Sequence, residues 1–219
     1  MSETHDIEMN KETFWNLIAA AKERCGEDKE AAADWIKEQL LFMGAQQALD
    51  FHNLIHAYRD HAGQYGLWCA GDILCDGLSD DGFMDFRAWL IAQGRETYMA
   101  ALADPDSLAE VKRYGDCTFE SLSYVGDKAY EELTGRSAYD QYDEAAFDEL
   151  MKQIETEVPL GEGINYPYNR EEVASYLPKL FAKYDDPVTG TWNYDSPDVK
   201  RAMKTEKKSS RVRNRGDAR

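Results

Sequence analysis

SDDGFMDFRAWLIAQG, residues 79–94, is the stretch from which the rest of the chain is read. Within it Phe83, Phe86, Trp89, Leu90 and Ile91 recur at three- and four-residue steps, so a helix of 3.6 residues per turn gathers them on one side. Ser79 stands where such a helix starts. Its hydroxyl can accept from an orphan first-turn amide, and Asp80 and Asp81 suit the positive end of the dipole. Gly94 closes the run. Gly82 in the first turn costs about 1 kcal/mol against alanine, which implies close backbone packing there or room for a ligand.

The same grammar extends in both directions. Asn10 can cap a helix to about Glu23, with Phe14, Leu17, Ile18 and Ala21 at helical spacing and Cys25-Gly26 as its stop. Asp28 caps a second that ends near Gly44. A third runs from Ala45 to about His61, with Ala48, Phe51, Ile55 and Tyr58 on one face. Trp68–Cys75 reads as a short buried helix. Beyond Gly94, helices are expected over Arg95–Ala103, Pro105–Arg113, Phe119–Leu133 and Asp143–Glu155. Residues Pro159–Tyr168 read as loop, and Asn169 caps Arg170–Tyr176. Pro178 lies inside the apolar pattern that follows, so a kink or two abutting helices are expected. No stretch alternates as a strand would. The fold class is therefore all-α. Residues 1–9 form a polar start, 10–185 one helical domain, and 186–219 a polar loop and basic flexible tail.

Charge supports that division. The 219 residues carry 42 acidic and 25 basic side chains, a net −17. Residues 200–219 hold nine Lys/Arg against two acids, a net +7, leaving 16 basic against 40 acidic side chains in 1–199, a net −24. A body this acidic repels phosphates and attracts basic proteins, so nucleic acid is expected to engage nothing but the tail. The start of the chain has no signal-like apolar core, and no apolar run reaches the roughly 18 residues of a spanning helix. The four cysteines include no C-x-x-C pair. Thiols, no membrane and a cytoplasmic location are the expectation.

Four candidate sites follow, each beside a simpler explanation. His52 and His56, four apart on one helical face, have the spacing of metal ligands. The helix lacks an H-E-x-x-H glutamate, and His61 is half a turn out of phase, so packed or solvated rings are the plainer reading and no metal is assigned. Asp76–Gly82 superficially resembles a calcium loop, yet with Gly82 at the invariant turn position the first ligand falls on Gly77. A helix start explains the same letters. Arg87, Gln93 and Arg95 around Trp89 offer an anion pocket, against ordinary ion pairing. The run 116–157 interleaves Tyr124, Tyr130, Tyr139 and Tyr142 with twelve acids; it suits a basic protein or a plain solvated surface. There is no G-x-x-x-x-G-K-[ST], G-x-G-x-x-G or G-x-S-x-G, so no phosphate cradle or nucleophile elbow is encoded. No cofactor and no catalytic residue are expected.

The run from Leu67-Trp68-Cys69-Ala70 through Ser79-Asp80-Asp81-Gly82-Phe83 and on through Phe86-Arg87-Ala88-Trp89-Leu90-Ile91-Ala92-Gln93-Gly94-Arg95 resembles a bacterial family of domains of unknown function, number 4240. The likeness continues into Ala101–Leu108 and is looser at Phe14-Trp15, Tyr124–Thr134 and Leu177–Leu180. It implies a helical domain without an established activity, in a family some of whose members are appended to regulatory proteins with a Trp-Gly-Arg-type module. This chain departs from the pattern at Cys75-Asp76, where an Asn-Gly pair is expected, and at Asp72, near a usual tyrosine. The leading functional expectation is a non-catalytic module that engages a basic protein through its acidic surface. The alternative is a small-molecule-binding protein or unrecognised enzyme with its pocket at Ser79, Asp80, Asp81, Arg87, Trp89, Gln93 and Arg95.

Overall fold

The computed structural model describes residues 8–75, 77–112, 116–165, 167 and 169–184. Asp76, the first seven residues, and the expected polar loop and basic tail at 186–219 lie outside the described residues. In chain order come α1 (Lys11–Cys25), α2 (Lys29–Met43), α3 (Ala45–His61), α4 (Tyr65–Cys75), α5 (Asp80–Ala92) and α6 (Arg95–Ala103). A 3-10 turn (Pro105–Glu110), α7 (Glu120–Thr134), a second 3-10 turn (Ala138–Gln141), α8 (Glu144–Glu157), α9 (Arg170–Tyr176) and α10 (Pro178–Tyr184) follow. Among the described residues there is no strand, and no helix is long and apolar enough to cross a membrane. The fold is all-α.

Local chemistry sets the boundaries. The Asn10 carboxamide accepts from Thr13 N at 3.0 Å and the Asp28 carboxylate from Ala31 N at 3.0 Å, which satisfies orphan donors at the starts of α1 and α2. Between those helices Gly26 takes φ 61°, where a side chain would be strained. Three boundaries differ from the sequence reading. Helix α4 begins at Tyr65 rather than Trp68, because winding the chain earlier buries Leu67 completely. The segment after Pro105 is 3-10 and ends at Glu110: Asp104 accepts from Asp106 N at 3.1 Å, and Ser107 N bonds back to Asp104 O at 3.0 Å. The polar stretch before α8 winds into a 3-10 turn because the Asp127 carboxylate takes Ser137 Oγ–H and Ala138 N–H, both at 2.7 Å.

At Pro178 the chain forms two abutting helices, α9 and α10. Asp106, itself buried, reaches across from the first 3-10 turn and accepts Lys179 N at 3.0 Å and Leu180 N at 2.9 Å. The first turn of α10 is thus capped by a residue more than seventy positions away.

Helix α3 lies at the centre, packed by α2, α5, α7 and α8, while α7 also packs on α2 and α5. An aromatic cluster of Phe14, Trp15, Phe51, Tyr58 and Tyr98 ties α1, α3 and α6 together; the Trp15 and Tyr58 rings stand 4.8 Å apart. The Tyr98 hydroxyl donates to the Tyr58 carbonyl at 2.6 Å, so a buried polar atom is satisfied. No disulfide joins the four cysteines. Burial, aided by the charge of Asp72, pushes the Cys69 thiol up to about 12, which keeps it from acting as a thiolate.

Candidate functional site

Helix α5 distributes the sequence-predicted residues to three different places. At its start Ser79 Oγ accepts from Gly82 N at 3.1 Å, and Asp80 and Asp81 stand exposed in the first turn. A Cβ on Gly82 would meet Leu78 Cδ2 at 3.2 Å, and one on Gly71 would meet Leu78 Cδ1 at 2.5 Å. Both glycines are therefore spent on seating Leu78 between α4 and α5. Close packing explains Gly82.

Arg87 turns toward α3 instead. Its Nη1 donates to Arg59 O at 2.9 Å and its Nε to Phe83 O at 3.3 Å, with the guanidinium 4.6 Å from the Phe83 ring centroid. Arg59 lies in the last turn of α3, where carbonyls lack helical partners and a cation is favoured. Arg95 is exposed at the start of α6. Trp89 and Gln93 line a cavity, about 15 and 21 Å along the helix from Ser79 at 1.5 Å of rise per residue. The seven residues do not form one constellation.

The cavity holds about 640 Å³ between α1, α2, α5, α7 and the end of the first 3-10 turn. Ile18, Ala21, Ala32, Ile36, Trp89 and Leu122 supply its apolar wall. Ala21, Ala32 and Ala92 line it with no more than a methyl group each. Three lysines reach the mouth, Lys22, Lys29 and Lys112, beside Glu27 and Glu110. Lys29 forms an ion pair with Asp116 and donates to Thr118 O at 2.6 Å. Burial would raise the Asp116 pKa, but the hydrogen bond and charge of Lys29 outweigh it and the pKa is lowered. Lys22 is different. Its Nζ donates to the Gln93 carbonyl at 2.7 Å, and burial lowers its pKa. Sequence reasoning missed Lys22. The signal was its place four residues after Ile18, on the edge of the apolar stripe of α1.

His52 and His56 lie on α3 beside α7 and the second 3-10 turn, and neither lines the cavity. The His52 and His56 rings lie 4.4 Å apart, and Tyr139 stands edge-on to His52 at 4.5 Å. Arg59 Nη2 donates to His56 Nδ1 at 2.8 Å, so the neutral ring carries its proton on Nε2, which approaches Tyr139 Oη at 3.3 Å. Burial first, then Arg59 and His52, push His56 down to about 3. Both nitrogens of His56 are engaged and a guanidinium adjoins it, which opposes a bound cation. Among the described residues no three His, Cys, Asp or Glu side chains are grouped to hold a metal. His61, half a turn away, donates from Nε2 to Val158 O at 2.8 Å and anchors the chain after α8.

The acidic run forms exposed surface on α7, the second 3-10 turn and α8. Tyr124, Tyr139 and Tyr142 are exposed there and Tyr130 is half-buried. Glu132 pairs with Lys37 at 2.6 Å, while Asp140, Asp143, Glu144, Asp148 and Glu149 stand in solvent.

Comparison with known proteins adds one match. The family model described as protein of unknown function (DUF4240) matches residues 9–132, a span that contains every residue lining the cavity but not Tyr139 or α8. No curated protein matches, and no solved structure matches.

Proposed function

The chain belongs to the DUF4240 family of proteins of unknown function, and from that premise we propose that it is a binding module whose small-molecule ligand occupies the cavity between α1, α2, α5 and α7. The cavity itself carries this reading. Its 640 Å³ falls among ligand sites of roughly 300–1,000 Å³, and it combines an apolar wall with a few polar groups at one mouth. It also lies wholly within the stretch that defines the family. The pocket expected along α5 narrows to Trp89 and Gln93, and no residue is assigned a catalytic role.

A thermal-shift screen of small apolar compounds tests this, run in parallel on Ala32→Phe, which fills the cavity from α2. Hits on the native chain that vanish in the variant are expected. A screen without hits, or hits indifferent to the filled cavity, would overturn the reading.

The exposed Tyr124, Tyr139 and Tyr142 among exposed acids favour a second reading, a surface for a basic protein. Such a partner should be retained at low salt and released at high salt. In both readings residues 10–185 act as one domain in the cytoplasm. Limited proteolysis that leaves a fragment of about that size is the expected outcome.

A further inference from the structure

Some lysines of this acidic chain end on carboxylates and others on backbone carbonyls, as Lys183 does on Ala109 O at 2.7 Å. Lys11 pairs with Glu157, Lys29 with Asp116 and Lys37 with Glu132. Lys22 does not. Among the described residues it forms no ion pair, and its hydrogen bond goes to the backbone carbonyl of Gln93. An ammonium has three donors, so two remain. The side chain is exposed, and its ammonium stands at the mouth of a cavity whose wall is apolar. Glu27 and Glu110 stand at the same mouth, and among the described residues neither forms an ion pair with Lys22.

We infer that the cavity takes an amphiphilic monocarboxylate, with its apolar body against Ile18, Ile36, Trp89 and Leu122 and its carboxylate on the Lys22 ammonium. This rests on the cavity reading above and names its ligand class. One unmatched cation suits one negative charge. A phosphate monoester would bring about −1.5 to −2 into an acidic surrounding, with no arginine fork among the lining residues to receive it. The apolar wall rejects a small hydrophilic acid, since desolvating its polar groups would go uncompensated. Trp89 in the wall gives the site an optical reporter.

The test is titration calorimetry on the full chain with decanoate, decanol and decylamine, which share a body and differ in charge. Decanoate is expected to bind about tenfold more tightly than decanol and to outbind decylamine by more. In Lys22→Met the advantage of decanoate over decanol should disappear, while decanol binding stays as it was. Lys152→Met, on α8, removes the same charge from solvent and should leave the preference intact. Equal binding of decanoate and decanol, both lost in Ala32→Phe, would overturn the carboxylate inference and leave the cavity reading standing. A preference for decanoate that survives Lys22→Met would overturn the assignment to Lys22. Failure of all three probes overturns this inference, and the cavity reading falls with it only if the uncharged screening compounds also fail. Circular dichroism on each variant separates a lost contact from a lost fold.

Discussion

Helix α7 is packed by opposite rules on its two sides. Against α3 it closes until a Cβ on Gly126 would lie 2.8 Å from His52 N, Cα and Cβ. His52 is buried at that seam with exposed Tyr139 edge-on to its ring, and His52 Nδ1 and Ser123 Oγ are left without a hydrogen-bond partner. Toward α2 and α5, Leu122 of the same helix lines a cavity of about 640 Å³, with Ala21, Ala32 and Ala92 among its walls. Protein interiors normally close such volume, because each absent neighbour forfeits dispersion contacts. A molecule able to pack the first side so tightly that polar atoms go unpaired has left the second side open. That contrast favours a ligand at the open side over a general looseness of packing.

The largest expected effect breaks the contrast directly. Gly126→Leu must force α3 and α7 apart, since the obstructing atoms are His52 backbone and Cβ rather than the tip of a flexible chain. A loss of about 3 kcal/mol or more is expected from urea unfolding, or no soluble fold at all. Ala32→Leu adds carbon to the cavity instead and should be neutral or stabilising by about 0.5–1 kcal/mol. Similar losses from both would mean that the cavity is no roomier than the seam.

Next in size is the pH dependence of the seam. The folded-state pKa of His56 is pushed from 6.5 down to about 3. As pH falls below 6.5 the unfolded chain therefore binds the proton first. The stabilisation is complete above that value and is lost toward pH 3, by at most about 1.4 kcal/mol per pH unit for this one ring. Arg59 on α3, His52 and Tyr139 face the ring, and Asp127 of α7 acts on His52 in the opposite direction. The stability difference between the native chain and His56→Gln should shrink by about 1.6 kcal/mol between pH 6.5 and pH 5. A difference that does not change with pH would put His56 in water.

Arg87→Met is expected to cost about 1–2 kcal/mol, since it removes two hydrogen bonds and a charge from the carboxyl end of α3. Decanoate affinity should be unchanged. If it fell as far as in Lys22→Met, the boundary drawn between the brace and the cavity would be wrong.

How far the letters anticipated all this depends on range. Caps act within three residues, so Asn10, Asp28, Ser79 and Asn169 could be read at sight, and with them most helix starts. Asp106 could not, because the amides it caps belong to Lys179 and Leu180. The cavity was half legible: Trp89 and Gln93 stood out in α5, whereas Lys22, Ala21 and Ala32 acquire meaning only when α1 and α2 are set against α5. Arg87 looked like a ligand group because a sequence does not show that the Arg59 carbonyl lies beside it. The histidine pair at i and i+4 was correctly placed on one face; the guanidinium that occupies it comes from the next turn.

The smallest effect concerns the most recognisable letters. Ser79→Ala removes the acceptor for Gly82 N and should cost about 1 kcal/mol, and Ser79→Gly a few tenths more or less, since a glycine cap leaves the amide open to water. Ser79→Asp should restore the native value, because its carboxylate can take the same amide and suits the helix dipole. The same three variants should bind decanoate as the native chain does, with Ser79 about 20 Å along α5 from Gln93. The series asks whether S-D-D-G-F persists to start a helix or to hold a ligand. Stability that follows capping strength while affinity stays constant assigns it to the start; affinity that falls in Ser79→Ala and is not restored in Ser79→Asp would move the binding site to the other end of α5 and erase the contrast between the two sides of α7.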